Sequence, residues 1–331
     1  MRQRRKAEGW IDVHAHFHIP KTPTELDTIW KMMHRGCFLA PTPFEWTVEG
    51  ALDHMDRHGV AMQLLSNIPK TLAELQDSNA YGAAVVGRFP SRFGLLAALP
   101  TDDPDAALGE ITRADALCAD GFAMTCDYNG VLLSDASLAP VWRALNGRGA
   151  AVFIHPNAYA PPSLGRPSAL LEVAFETART LVDMLYKGIL GDFPDIKFVV
   201  AHCGGALPAL SGRLALLGAE PWVPNARQIS ADDIRRQLGR LFLDTAATGT
   251  AHSLKPALAM TTCDHLLYGS DCGVACSSET TLAQNMRALL DFADLSEAEI
   301  QQIGKNALQV FPTLEHRLTP AGDAGTSAAN L

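Results

Sequence analysis

Short runs of apolar and β-branched residues recur along the chain, each followed by a stretch with helical spacing. The runs are WIDVH from Trp10, VAMQLLS from Val60, FGLLAAL from Phe93, GFAMTC from Gly121, AVFIH from Ala151, IKFVVAH from Ile196, LFLDT from Leu241 and HLLYGS from His265. Their near-continuous hydrophobicity predicts a parallel sheet buried on both faces. Between them, WTVEGALDHMDRHG puts Val48, Leu52 and Met55 on one helical face and stops at Gly59. SLAPVWRALNGRG and SALLEVAFETARTLVDMLYKGIL have the same character. Eight strand–helix units, spaced roughly 25–50 residues apart, predict a closed (β/α)8 barrel. An open doubly wound sheet is the alternative. It would favour a glycine-rich phosphate turn after the first strand, and VHAHFHIP contains no glycine.

The first unit is interrupted between about residues 19 and 45, where Pro20, Pro23, Pro41 and Pro43 surround a short possible helix. Long loops at the carboxyl ends of barrel strands carry function, so this insertion is expected to form a lid or a partner surface. The 331 residues suit one large domain over residues 1–318, followed by a small polar tail over 319–331 that is expected to be flexible. Hydrophobic residues make up 47% and charged residues 19%, enough for a sizeable core and unlike a disordered chain. A net charge of -9 argues against general nucleic-acid binding, so an acidic ligand must be held by a local positive group.

No apolar run reaches the roughly 18 residues of a membrane span. The basic start, MRQRRKAEGW, lacks the apolar segment of a secretory signal. Seven cysteines without a CxxC pair point to reduced thiols in a cytoplasmic protein.

Polar residues fall at the strand ends, where a barrel does its chemistry. Strand 1 ends in His14-Ala15-His16, whose i, i+2 spacing lets both imidazoles face one ion. Strand 5 ends in His155, strand 6 in His202 and strand 8 in Asp271. Singly, each is more often a packing or rim residue. Jointly, five groups from four strands predict a metal site at one rim. Nitrogen ligands with one carboxylate and an open position suit Zn2+, with Mn2+, Fe2+ and Co2+ also compatible.

These motifs resemble the amidohydrolase superfamily, in its decarboxylase branch related to aminocarboxymuconate semialdehyde decarboxylase. The likeness runs from IDVHAH through ALDHMDRHGVAMQLLS, RFGLLAALP, VFIHP and FPDIKFVVAHCGGALP to LLYGSD, and is greatest toward 6-methylsalicylate decarboxylases. It implies a distorted TIM barrel with a small insertion after strand 1. It makes His14, His16, His155 and Asp271 the metal ligands, with His202 a neighbouring acid/base or water-orienting group. Binuclear members bridge two metals with a lysine or glutamate at the end of strand 4. Here that strand ends GFAMTCDYN, so one metal is expected.

The implied reaction is non-oxidative decarboxylation of a hydroxylated aromatic acid, with Asp271 or His202 protonating the ring carbon. Hydrolysis of a lactone or amide is the alternative. A barrel kept only for binding partners would be expected to lose ligands, and all five site residues are present.

Relatives acting on dicarboxylates carry an arginine where this chain has CFLAPTPFEW, so Phe44 or Trp46 is expected to form an apolar wall beside a substituted ring. Arg213 matches an arginine that relatives use on a substrate carboxylate, sometimes across a subunit interface; a solvated helix arginine is the alternative. Asp244 could orient His202 or cap a loop. His252 could line the pocket, and Tyr128 could meet a substrate hydroxyl or simply form a turn. Cys203 and Cys272 read as small buried hydrophobes. His18 reads as a loop residue, and His34, His54, His58, His265 and His316 as surface or packing residues. The resemblance also implies a homodimer or homotetramer.

Overall fold

The computed structural model describes residues 5–157 and 160–318; the tail expected over 319–331 lies outside the described residues. All eight expected strands form. They are β1 (Trp10–His16), β2 (Val60–Ser66), β3 (Phe93–Ala98), β4 (Gly121–Thr125), β5 (Ala151–His155), β6 (Lys197–Val200), β7 (Phe242–Asp244) and β8 (Leu266–Leu267). They pair in sequential order, every pair parallel. The ring closes where the end of β8 meets β1: Val13 N donates to Tyr268 O at 2.9 Å, Asp271 N to His14 O at 2.9 Å and His16 N to Cys272 O at 2.7 Å. This is a TIM barrel, with the strand ends at one mouth. A two-stranded antiparallel hairpin, Asp127–Tyr128 with Val131–Leu132, follows β4.

The longer helices are α1 (Pro23–Arg35), α2 (Val48–His58), α3 (Leu72–Arg88), α4 (Pro104–Ala116), α5 (Ala139–Gly147), α6 (Glu172–Tyr186), α7 (Leu207–Leu217), α8 (Ala231–Gly239), α9 (Ala251–Met260), α10 (Glu279–Leu290) and α11 (Glu297–Ile303). As the sequence pattern requires, α2 buries Val48 and Met55 and ends on Gly59 in the left-handed region, φ 72°. Within the insertion, α1 starts on a capping box of Thr22 and Glu25 and buries none of its residues. Trp30 and His34 both donate to Ala40 O, folding the following loop back on the helix. Among the described residues, no helix is long and apolar enough to cross a membrane.

Two apolar layers result. Ile11, Val13, Met62, Leu64, Leu96, Phe153, Val199 and Leu267 pack in one cluster with Val310 and Phe311, inside the ring. Trp10, Ala15, Leu65, Leu95, Val152, Val200 and Leu243 belong to a second cluster, shared with the helices.

β1 does not alternate regularly between them. Its pairing runs Asp12↔Gln63 and then Ala15↔Leu65, so β1 carries one residue more than β2 over that interval, a β-bulge. Ile11 and Val13 lie in the inner layer and Trp10 in the outer, as period-2 alternation demands. Without the bulge, Ala15 would follow them inward and His14 and His16 would point outward. The extra residue reverses the parity: Ala15 lies in the outer layer and the two imidazoles turn to the mouth.

At the seam, Gly273 has φ 94°, and a Cβ there would stand 2.0 Å from His16 O. Gly273→Ala is expected to lower unfolding stability by about 2 kcal/mol or more, because strain and clash add. Urea denaturation checks this; an unchanged midpoint would refute it.

Candidate metal centre and active site

Five predicted side chains meet at the mouth. His14 Nε2 and His16 Nε2 stand 3.1 Å apart, and Asp271 Oδ1 is 3.4 Å from the first and 3.3 Å from the second. The His155 ring lies 5.2 Å from His14 and 5.0 Å from His16, centroid to centroid. His202 Nε2 is 3.7 Å from Asp271 Oδ2. One ligand atom from each of His14, His155, His202 and Asp271 falls within 4.8 Å of the others.

The hydrogen bonds behind the rings decide what they offer. His14 Nδ1 lies 2.8 Å from buried Asp244 Oδ2. His16 Nδ1 lies 3.2 Å from Ser66 O, and His155 Nδ1 lies 2.7 Å from Pro156 O. A carbonyl or carboxylate oxygen can only accept, so each Nδ1 carries the proton. In the neutral ring each Nε2 then presents a lone pair. His155 Nε2 is buried with no hydrogen-bond partner among the described residues. Three convergent lone pairs beside a carboxylate are a misfit for neutral protein and a fit for a cation. His202 differs: its Nδ1 is buried and unpartnered, so no such bond fixes its tautomer.

On His14 a second proton competes for that lone pair, which shows how strongly the place attracts positive charge. Burial opposes a charge on His14, yet Asp244 and Asp271 lift its pKa to about 10. Burial pushes the His16 imidazole down, and burial with its neighbouring rings holds His155 well below the usual range. Burial would raise Asp271, but His14, His16 and His202 hold its carboxyl well below the ordinary carboxylate range. The cluster attracts positive charge, and the carboxylates of Asp244 and Asp271 match a divalent ion.

Backbone strain marks the same place. His202, Cys203 and Asp271 have φ of 54°, 56° and 62°, a region non-glycine residues rarely occupy. At Gly269, a Cβ would lie 2.9 Å from Asp244 Cβ and 3.0 Å from His14 Cβ, so the glycine admits the His14–Asp244 contact.

One further residue was missed at the sequence level. Asp12 is fully buried. Its Oδ1 accepts from His14 N at 3.1 Å and Ser270 N at 3.0 Å, and its Oδ2 accepts from Gln63 Nε2 at 3.0 Å and from the Ser270 hydroxyl. It thereby ties the His14 strand to the Asp271 loop. Burial outweighs these bonds and lifts its pKa to about 6. The available signal was its position two residues before His14. His18 lies in the loop after β1, as expected; its ring packs 6.5 Å from Phe44, and burial followed by His16 pushes its pKa down to about 4.

Other candidates are placed differently. Asp244 touches His14 rather than His202. Phe44 is half-buried beside His18, whereas Trp46 is buried against Phe17. Tyr128 is buried with Leu75 and Ala98, and its hydroxyl donates to Pro69 O at 2.7 Å. His252 is exposed at the start of α9, near Thr250. Arg213 is exposed on α7, with no side-chain partner among the described residues. Cys203 and Cys272 are buried, as expected.

Comparison with known proteins adds to this. A family model described as Amidohydrolase matches residues 11–313. The chain is 31% identical to decarboxylase yanB of Aspergillus niger, over 92% of this chain and 88% of that one. It is 30% identical to a 6-methylsalicylic acid decarboxylase of Penicillium expansum, over 94% of this chain and 98% of that one. A dihydroxybenzoic acid decarboxylase of Polaromonas sp. JS666, solved with bound manganese, superposes with a TM-score of 0.74 at 21% identity, covering 92% and 97% of the two chains.

Asp12→Asn preserves shape but turns an NH2 toward one pair of the donors that Asp12 now accepts from. A loss of about 1–3 kcal/mol is expected, read by thermal or urea denaturation; wild-type stability would show that Asp12 does not hold the seam.

Proposed function

The chain belongs to the amidohydrolase family, and from that premise we propose that it is a mononuclear, metal-dependent, non-oxidative decarboxylase of a salicylate-type hydroxylated aromatic acid such as 6-methylsalicylate. The observation that carries the metal is the trio of Nε2 lone pairs, each fixed by a hydrogen bond at Nδ1, converging beside Asp271. His14, His16, His155 and Asp271 are the proposed ligands. The mixed nitrogen–carboxylate set suits Zn2+, with Mn2+ the second choice. A divalent ion held there would act as a Lewis acid toward the carboxylate and ortho hydroxyl of the substrate.

The chain's own residues supply the proton. Losing CO2 from an aromatic ring requires a proton on the carbon that bears the carboxylate. The C–C bond then breaks and its electron pair restores the ring. Of the two candidates left by the sequence, His202 is the better acid/base. Its ring is not committed through Nδ1, and Nε2 faces Asp271. Asp271, held strongly ionised, is the poorer donor and serves to orient His202. Phe44 and His18 pack ring against ring and give an aromatic wall beside His16, suited to a substituted ring.

Assembly as a homodimer or homotetramer is part of the proposal. Exposed Leu210, Leu216 and Trp222 accompany the unpaired Arg213 on and after α7. All seven cysteines are free, which fits a reducing cytoplasm.

Incubation with a panel of salicylates and aryl lactones, following CO2 release with and without a chelator, tests the reaction. Salicylate turnover that chelation abolishes is expected; turnover of lactones alone would overturn the reading. His202→Asn is expected to lower kcat by about 10²–10⁴-fold while bound metal is unchanged. His16→Ala is expected to lower metal content and rate together. Elemental analysis beside the kinetics separates the two roles, and a metal-depleted His202→Asn protein would contradict the assignment.

A further inference from the structure

A second set of donors, unused by the proposed reaction, sits on α2 and α10. His54 and His58 are four residues apart on α2 and therefore share a face. Their ring centroids are 4.6 Å apart. Glu279, the first residue of α10, faces both: His54 Nδ1 is 3.5 Å from Oε1, and His58 Nε2 is 3.5 Å from Oε2. One donor atom from each of the three residues lies within 4.8 Å of the others.

His54 is the independent sign that something is wanted here. It is only 3% exposed, and neither ring nitrogen has a hydrogen-bond partner among the described residues. Leaving a buried polar group unsatisfied costs about 1–3 kcal/mol, a cost that a ligand would relieve. The spacing is apt, since bonds of about 2.1 Å to a tetrahedral zinc put ligand atoms about 3.4 Å apart.

We propose that His54, His58 and Glu279 form a second divalent-cation site, of the zinc class with water completing its coordination, that clips α2 to α10.

Glu279 is 55% exposed, which leaves the ion a path from solvent. Arg57 is the competitor, donating to both Glu279 oxygens at 2.8 and 3.0 Å. It also donates to Asp53 at 2.9 Å, a contact it keeps when Glu279 turns to the ion. Since α2 leads into β2 and α10 follows β8, the clip brackets β1 and reinforces the seam.

The test is a difference between chains identical at the barrel mouth, so it does not depend on what the mouth binds. Untagged wild-type protein, His58→Gln and Glu279→Gln are stripped with chelator, dialysed against Zn2+ and analysed for zinc per chain. Wild type is expected to hold one equivalent more than either variant, and zinc is expected to raise its Tm further. Equal zinc in wild type and a folded variant overturns the site. Because His58 and Glu279 are both accessible, at least one folded variant is expected, checked by its melting transition.

Discussion

The architecture of the mouth depends on three Nδ1–H groups having nowhere else to go. Asp244, Ser66 and Pro156 each supply one oxygen to one ring, and that choice fixes every Nε2 as an acceptor. Three acceptors and a carboxylate in the same small volume call for positive charge, either a second proton on His14 or a cation. The fold therefore stores an unmet demand for positive charge, held in place by strained backbone at His202 and Asp271. Stability is given up at the mouth and made good by the two apolar layers beneath it.

The position of that demand follows from one extra residue in β1. The bulge hands Ile11 and Val13 to the barrel interior and still delivers His14 and His16 to the mouth. Asp12, left on the opposite parity, bonds across to Gln63 and Ser270. One irregularity thus serves core packing, ligand aim and closure.

The strands were legible because burial on both faces writes itself as unbroken apolar runs, and the five mouth residues because they end those runs. The bulge was not legible: strict alternation along IDVHAH gives His14 and His16 a common face, but not which one. Hydrogen-bond partners across the barrel were equally hidden. Nothing near Asp244 in sequence says whether it meets His202 or His14, and nothing near Tyr128 or Trp46 says that Pro69 and Phe17 occupy them. His54 and His58 read as ordinary helix residues because Glu279, which gives them meaning, is more than two hundred positions away. Local pattern reports burial; it does not report which distant group shares it.

Joining the first strand to the last has a consequence for biosynthesis. The imidazoles of β1 leave the ribosome early, whereas Asp271 and the backbone that seals the ring arrive after most of the chain has been made. Before β8 is made, the chain carries His14, His16, His155 and His202 without Asp271 or the backbone that seals the ring. The ring and the five-residue cluster are therefore completed in the same late step of synthesis.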